Sequence, residues 1–237
     1  MATRRGFVRA RRVSISTKPA ASSDIMLVLG INTVADACEA ALVRDGVVVA
    51  ELSEPMQQGH DARLAPVVEK LMRESATTFT DLDRIAIVVG PGSFTGVRVG
   101  VAFARGLALS LDKPAVGVTS LEALDWLVPE GRVLGVLAAK RRPPERTWWY
   151  QRMEAGRGIE EPGEADEAKI RKMVAEAGAA YGAVASLELP GMDTKPSARA
   201  AALFAARLTG DLPPPRPIYV REPDATPMRP PERPVGQ

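Results

Sequence analysis

A glycine-rich turn between an apolar strand and a long apolar helix limits most strongly what this chain can fold into. Residues 84–89 (RIAIVV) have the continuous apolar character of a buried strand, and Phe94–Leu111 has the length and composition of a helix. Glycines in the intervening Gly90-Pro91-Gly92-Ser93 allow a sharp turn, and free N–H groups at a helix start favour anions. The sequence therefore predicts a strand–turn–helix unit.

The turn departs from the two common phosphate-binding patterns. A P-loop needs Lys-Ser or Lys-Thr after its last glycine, and the dinucleotide pattern would need glycine in place of Thr95. Two interpretations stay open: a tight turn with a packing role, or a vestigial phosphate loop. The second would use Asn32, Gly90, Gly92, Ser93 and Thr95.

Small residues recur every four positions along the predicted helix, at Gly96, Gly100, Ala104 and Ala108. They trace one smooth face that permits close approach of another element. The neighbour is either the protein's own sheet or a helix of a partner. The apolar stripe of the preceding predicted helix, residues 61–75, has the same two interpretations.

The order of elements indicates the fold class. A short apolar run at residues 26–31 is followed by two more strand-like runs around Arg44-Asp45-Gly46, a strong hairpin signal. With the helix at 61–75 and the strand–turn–helix unit, the order is β-β-β-α-β-α. This is the order of the ribonuclease-H-like half-domain of actin, Hsp70 and sugar kinases. We therefore expect a two-lobed α/β fold with a small second lobe.

The charge distribution divides the chain. Residues 1–25 contain six basic side chains and one acidic, a net charge of +5, and the remaining 25 basic and 28 acidic residues give −3. We expect a basic, disordered extension (1–25), an N-terminal lobe (26–127), a smaller C-terminal lobe (128–211, with helices near 166–177 and 197–208) and a tail (212–237). The tail holds nine of the 20 prolines.

Residue counts exclude several classes of protein. One cysteine, Cys38, and one histidine, His60, exclude a disulfide framework and any metal site built on several cysteines or two histidines. No run approaches the ~20 apolar residues of a membrane span. His60 is interpreted as a polar cap or interface residue, Cys38 as a small buried apolar residue, and Glu122 as a structural hydrogen-bond acceptor.

The motifs LGINT (29–33), GPGSFTGVRVG (90–100) and GVTSLEAL (117–124) resemble the TsaB family, with a weaker match of PIYVRE (217–222) to that family's closing strand. The family is the dimerisation subunit of the bacterial machinery that makes threonylcarbamoyladenosine in tRNA. The resemblance implies an actin/Hsp70-like fold, a cytoplasmic location and no membrane.

The resemblance also implies partners: a TsaD-like catalytic subunit in a heterodimer, a TsaE-like ATPase, and tRNA only through the complex. A homodimer is the alternative in isolation. ATP and a divalent metal would belong to the partner subunits, with no cofactor on this chain. In the family the first two helices of each subunit form a four-helix bundle. Here that would use Leu64, Val67, Leu71, Val97, Arg98, Gly100, Val101, Ala104, Arg105 and Ala108.

Several departures favour a non-catalytic subunit. Ser120 and Leu124 occupy, by alignment, the places of the catalytic relative's two metal-binding histidines. Asn32 replaces an aspartate that handles Mg²⁺ and phosphate in this superfamily. The second lobe has Ala138-Ala139-Lys140 where many members have Asp-Ala-Arg. The alternatives are a diverged nucleotide-binding ATPase or kinase-like protein, and a homodimeric binding module.

Overall fold

The computed structural model describes residues 14–15, 26–124, 131–139 and 146–220. The α-helices are α1 (His60–Glu74), α2 (Phe94–Leu111), α3 (Glu167–Ala177) and α4 (Ala198–Ala206). The strands are β1 (Ser14–Ile15), β2 (Leu27–Asn32), β3 (Ala37–Arg44), β4 (Val47–Pro55), β5 (Arg84–Val88), β6 (Ala115–Val118), β7 (Arg132–Ala138), β8 (Trp148–Glu154), β9 (Arg157–Gly158), β10 (Gly163–Ala165), β11 (Ala180–Gly182), β12 (Gly191–Asp193) and β13 (Leu208–Thr209).

The first lobe is built on a five-stranded sheet with the order β4-β3-β2-β5-β6. Strands β2, β3 and β4 form an antiparallel meander, and β5 and β6 add in parallel. The predicted hairpin is confirmed: Asp45 and Gly46 both have positive φ, the backbone that a two-residue turn between twisted strands requires. The β-β-β-α-β-α order is therefore present as predicted.

Helices cover both faces of this sheet. Successive side chains of a strand point to opposite faces. Ile87 of β5 lies under Gly100 of α2, whereas Gly30, on the opposite face of the neighbouring β2, lies under α4. A Cβ at Gly30 would stand 2.0 Å from the carbonyl oxygen of Ala198. Glycine at position 30 thus lets α4 approach the sheet at backbone distance.

The predicted boundary of the second lobe needs correction, because α4 lies within 128–211 but packs in the core of the first lobe. The guanidinium of Arg84 donates hydrogen bonds to the carbonyl oxygens of Ala205, in the last turn of α4, and of Leu208 in β13. Alanines face the sheet along α4, and small side chains suit the space above Gly30. The first lobe is therefore discontinuous in sequence.

The second lobe has its own sheet and core. Its strands follow the order β10-β8-β7-β11-β12, with β9 paired to β8, and α3 packs on β7 and β8. Its core includes Leu134, Val136, Trp148 and Ile170. Trp148 is 5% exposed, and its ring packs within this lobe. The predicted two-lobed α/β fold is confirmed.

Two described segments near the ends of the sequence, Ser14–Ile15 and residues 211–219, contact residues of the first lobe. Ser14–Ile15 pairs antiparallel with Leu208–Thr209, so the predicted disordered extension contains one paired dipeptide; the rest of residues 1–25 lies outside the described ranges. Residues 211–219 form no regular strand, but the N–H of Ile218 donates to the carbonyl of Val89 at 2.8 Å. Residues 217–220, the described part of the predicted closing strand, therefore do not form a strand.

The segment after β6 begins with a turn. Residues 120–123 form this turn, and the hydroxyl of Thr119, not of Ser120, accepts the N–H of Glu122. Residues 125–130 and 140–145 lie outside the described ranges. Lys140 falls in that second gap, whereas Ala138 ends β7.

Candidate functional site: the turn and helix after the fourth strand of the first sheet

The glycines of the turn are required by the chain's own packing. A Cβ at Gly90 would lie 2.7 Å from the carbonyl oxygen of Ile218, and one at Gly92 would lie 2.7 Å from Cβ of Val34. Gly90 also has φ 102°, a backbone conformation that other residues rarely adopt. Both glycines therefore serve close packing of the tail and the first loop.

Asn32 is fully engaged within the protein. Its Nδ2 donates to Glu39 Oε2 at 2.8 Å and to the carbonyl of Pro196 at 3.0 Å, and its Oδ1 accepts the N–H of Val34 at 3.1 Å. The same Glu39 oxygen accepts the N–H of Ala198 at 3.2 Å. Asn32 and Glu39 thus fasten the start of α4 to β2 and β3. Of the predicted phosphate-loop residues, only Ser93 and Thr95 retain an open environment.

The small-residue face of α2 packs on the protein's own sheet. A Cβ at Gly100 would lie 2.5 Å from Thr33 Oγ1 and 2.7 Å from Ile87 Cδ1. Ala104 has no exposed surface, and Ala108 is 8% exposed. Of the two interpretations of this face, contact with a partner helix is therefore wrong.

The predicted partner interface is corrected accordingly. Eight of its ten residues are buried in the core of the first lobe: Leu64, Val67, Leu71, Val97, Gly100, Val101, Ala104 and Ala108. Leu64, Val67 and Leu71 belong to the inward stripe of α1, which packs on β3. The two exposed members are Arg98 and Arg105. An apolar stripe marks the buried face of a helix, so sequence periodicity selected the inner side of each helix.

Arg98 contacts residues of its own chain. Its guanidinium lies over the ring of Phe94, with Cζ 3.8 Å from the ring centroid, and its Nε donates to the hydroxyl of Tyr219 at 3.1 Å. The rings of Phe94 and Tyr219 lie 4.9 Å apart. These contacts fix the end of the described tail on the first turn of α2, an arrangement that joins residues more than 120 positions apart.

The opposite side of α2 carries apolar residues that are exposed or half-buried. We call this surface the outer face of α2; it consists of Val99, Ala102, Phe103, Gly106 and Leu109 at helical spacing. Leu109 is 86% exposed, and a Cβ at Gly106 would meet no atom within 4 Å. The sequence signal for it is that apolar residues also occur on the side of α2 opposite the buried face, where a surface helix normally carries mainly polar residues.

Among the described residues, α2 is also the one helix whose length and mean hydropathy of 1.3 would suit a membrane span. This is weak evidence, because core helices of globular proteins pass the same test. A third of α2 is buried inside the protein, and it carries Arg98 and Arg105. Its hydropathy is better explained by two apolar faces, one on the sheet and one at the surface.

Buried polar groups join the two lobes. The Thr119 hydroxyl donates to Gln151 Oε1 at 2.8 Å, and the Glu122 carboxylate accepts the N–H groups of Thr119 and Gly158 at 3.0 and 3.1 Å. Burial raises the pKa of Glu122, against the opposing effect of these N–H donors. Glu122 thus accepts hydrogen bonds from both lobes, in agreement with its predicted structural role.

The candidate positions for metal binding and for a reactive thiol are buried in the protein. Ser120 and Leu124 are fully buried. Within residues 14–15, 26–124, 131–139 and 146–220, no group of three or more His, Cys, Asp or Glu side chains is placed to hold a metal. Burial and the nearby Glu54 carboxylate raise the pKa of the Cys38 thiol to about 11, so this thiol is held in its unreactive form.

Comparison with known proteins agrees with the fold. A sequence profile described as "TsaD: tRNA N6-adenosine threonylcarbamoyltransferase" matches residues 48–125. The TsaB protein of Escherichia coli is 38% identical over 136 residues, which cover 55% of this chain and 58% of that protein. The TsaB protein of Bacillus subtilis is 40% identical over 99 residues, 42% of this chain and 43% of that protein. The matches thus span about half the length of these curated relatives.

Two further similarities cover more of the chain. An uncharacterized protein of Mycobacterium tuberculosis is 36% identical over 211 residues, 86% of this chain and 96% of that protein. A crystal structure from Pseudomonas aeruginosa, of a protein described as similar to the peptidase YeaZ, aligns with a TM-score of 0.62 and 24% identity. It covers 83% of this chain and 100% of that one. The latter likeness supports the fold alone.

The ribonuclease-H-like sheet order, with a second lobe joined through Thr119 and Glu122, defines a two-lobed protein of the actin and sugar-kinase class. Within that class, about half of the chain is similar to curated proteins of the TsaB family.

Proposed function

We propose that this chain is a non-catalytic subunit in the biosynthesis of threonylcarbamoyladenosine in tRNA, and that it binds and activates a TsaD-like transferase in the cytoplasm. The exposed apolar outer face of α2 carries this proposal. Large apolar patches on a globular protein are typical of interaction surfaces. Residues 48–125, which resemble the TsaD family, include α1, β5 and α2. We propose that two related lobes pair through this surface.

The role of a scaffold rather than an enzyme is supported by what the site residues do. The side chain of Asn32 makes hydrogen bonds to β3, to the first loop and to the residue before the N-cap of α4. The space beside the glycines of the turn is occupied by other atoms of the same chain. A nucleotide-hydrolysing role for this chain would need an acidic group in the place of Asn32. We therefore assign the need for ATP and a divalent metal to the TsaD-like and TsaE-like subunits, and contact with tRNA to the assembled complex.

The test is association with the TsaD-like subunit of the same organism, measured by size-exclusion chromatography with light scattering. Leu109→Arg places a charge in the outer face, and we expect association to weaken roughly tenfold or more, as for the loss of a central apolar contact. Val49→Arg is the matched control: Val49 is 47% exposed on the edge strand β4, away from α2. Circular dichroism establishes that both variants fold.

The outcomes separate the alternatives. A one-to-one complex that Leu109→Arg disrupts and Val49→Arg preserves supports the proposal. Equal binding by both variants contradicts the assignment of the outer face. If the wild-type protein forms no complex with the TsaD-like subunit, the proposed activity is wrong, and a dimer of this chain that Leu109→Arg dissociates would identify a homodimeric module.

A further inference from the structure

The described part of the tail ends on the first turn of α2. The hydroxyl of Tyr219 accepts a hydrogen bond from Arg98 Nε at 3.1 Å, and its ring lies 4.9 Å from that of Phe94. One residue earlier, the N–H of Ile218 donates to the carbonyl of Val89 at 2.8 Å. Residues 221–237, which lie outside the described ranges, therefore continue from a point that is fixed at the start of α2.

One row of exposed residues leads along α2 from this point. It consists of Arg98, Ala102, Arg105 and Leu109, which share one side of the helix because they are spaced by three or four residues. We call it the exposed row of α2; it shares Ala102 and Leu109 with the outer face. Leu109, at the far end of the row, is 86% exposed. Removal of such a large apolar side chain from water is favourable.

Arg105 gives the exposed row a positive charge at a defined distance from Tyr219. The helix rises about 10 Å between Arg98 and Arg105. Among the residues that the structure describes, no carboxylate forms an ion pair with Arg105. An extended proline-rich chain rises about 3.1 Å per residue. If the tail runs along α2 from Tyr219, Glu222 therefore arrives at the level of Arg105, and opposite charges lie side by side.

The composition and length of residues 221–237 suit an extended segment on a helix surface. The prolines of this segment are Pro223, Pro227, Pro230, Pro231 and Pro234. Proline favours an extended backbone before binding, so that little conformational entropy is lost when the segment docks on an apolar surface. The 18 residues of α2 are about 27 Å long, a length that about nine extended residues cover. The segment is therefore long enough to follow the whole helix.

We propose that residues 221–237 dock along the exposed row of α2 of their own chain, with Glu222 paired to Arg105 and apolar residues of the segment covering Leu109. The tail then occupies part of the outer face of α2 in the free protein, and a partner that binds this face displaces the tail. The docking is independent of the proposed function, whereas the competition with a TsaD-like partner rests on it.

Paramagnetic broadening in ¹H–¹⁵N NMR spectra of the full chain tests the docking. A nitroxide is attached at Thr226→Cys, in a chain in which Cys38→Ala removes the native thiol. A short tether holds the segment near α2 at an effective concentration of about a millimolar, and we expect the amide signals of residues 105–111 to lose roughly half of their intensity. The signals of α3, in the other lobe, are the internal reference.

Charge variants show whether the predicted pair positions the tail. Arg105→Glu and Glu222→Arg should each reduce the broadening at residues 105–111, and the two changes together should restore it. Arg73→Glu, at an exposed position in the last turn of α1, is the matched control and should leave it unchanged. Absence of broadening at residues 105–111, or broadening that Arg105→Glu does not alter, would overturn the proposal. So would broadening that occurs only between a nitroxide-labelled chain and a second, ¹⁵N-labelled copy.

Competition is measured with the TsaD-like subunit. Glu222→Gln weakens the hold of the tail and should strengthen association with that subunit roughly two- to fivefold, the effect of one exposed ion pair. Glu232→Gln, further along the same segment, is the control and should have no effect. Equal affinities for both variants, with the broadening intact, would contradict the competition. A wild-type chain that forms no complex contradicts the proposed function, and the broadening then tests the docking by itself.

Discussion

The hydroxyl of Thr33 donates a 2.7 Å hydrogen bond to the carbonyl oxygen of Gly96, so that the loop after β2 enters the groove on α2 between Gly96 and Gly100. A Cβ at Gly96 would lie 1.9 Å from the carbonyl oxygen of Thr33. The backbones of the loop and the helix are therefore in direct contact, and this contact explains why the first small residue of α2 is a glycine.

Gly96→Ala should destabilise the protein by about 3 kcal/mol, because the backbone of the loop must move to admit the methyl group. Gly106→Ala is the matched control on the same helix, where the new methyl group meets no atom within 4 Å. It should stabilise the protein by roughly 0.5–1 kcal/mol through helix propensity. Urea unfolding measures both, and a Gly96→Ala variant as stable as the wild type would show that the loop yields freely.

Arg84→Met should lower the free energy of unfolding by about 2 kcal/mol, because the carbonyls of Ala205 and Leu208 lose a charged donor inside the protein. Arg105→Met, at an exposed position of α2, should change it by less than about 0.5 kcal/mol. Hydrogen exchange of the α4 amides adds a local measurement, and we expect faster exchange in Arg84→Met. Unchanged protection of α4 would contradict the role of Arg84 in holding that helix.

Glu122→Gln should remove a pH dependence of stability. Burial raises the pKa of this carboxyl in the folded state, so its contribution is full below the unfolded value of about 4.3 and is lost as pH rises through the folded value. The difference in unfolding free energy between variant and wild type should therefore increasingly favour the variant as pH rises from 4.3. Glu69→Gln, on the exposed side of α1, is the surface control for the same substitution.

Cys38 should resist thiol reagents in the native protein. The side chain is fully buried in β3, and a pKa of about 11 leaves little thiolate at pH 8. With 5,5′-dithiobis(2-nitrobenzoic acid), we expect labelling at the rate of unfolding, and complete reaction within seconds to minutes in denaturant. Rapid labelling of the native protein would show that β3 opens locally on that timescale.

Much of the first lobe could be predicted from local sequence. Asp45-Gly46 fixes its hairpin because both residues accept positive φ, and the stripe of α1 identifies a helix with one buried face. The caps of α3 and α4 were equally local, since Asp166 and Ser197 accept N–H groups three residues ahead. These features depend on neighbours within a few positions.

The candidate site could not be predicted in the same way. Asn32 has the position of a phosphate-loop residue, but its partners include the carbonyl of Pro196, 164 positions away. Glu122 likewise accepts the N–H of Gly158, 36 positions away. Neither contact can be recognised from the local sequence, because local sequence does not show which distant backbone groups lie close together in the fold.

The sequence by itself determined the strands and helices of the first lobe, their order and the positions that require glycine, because these follow from short-range sterics and apolar spacing. Tertiary structure decided which side of α2 is buried, because both sides carry apolar residues and periodicity alone does not show which side faces the sheet. It also decided that α4 returns to the first sheet, because that contact depends on the fit of Ala198 over Gly30, a match between surfaces that no local pattern contains.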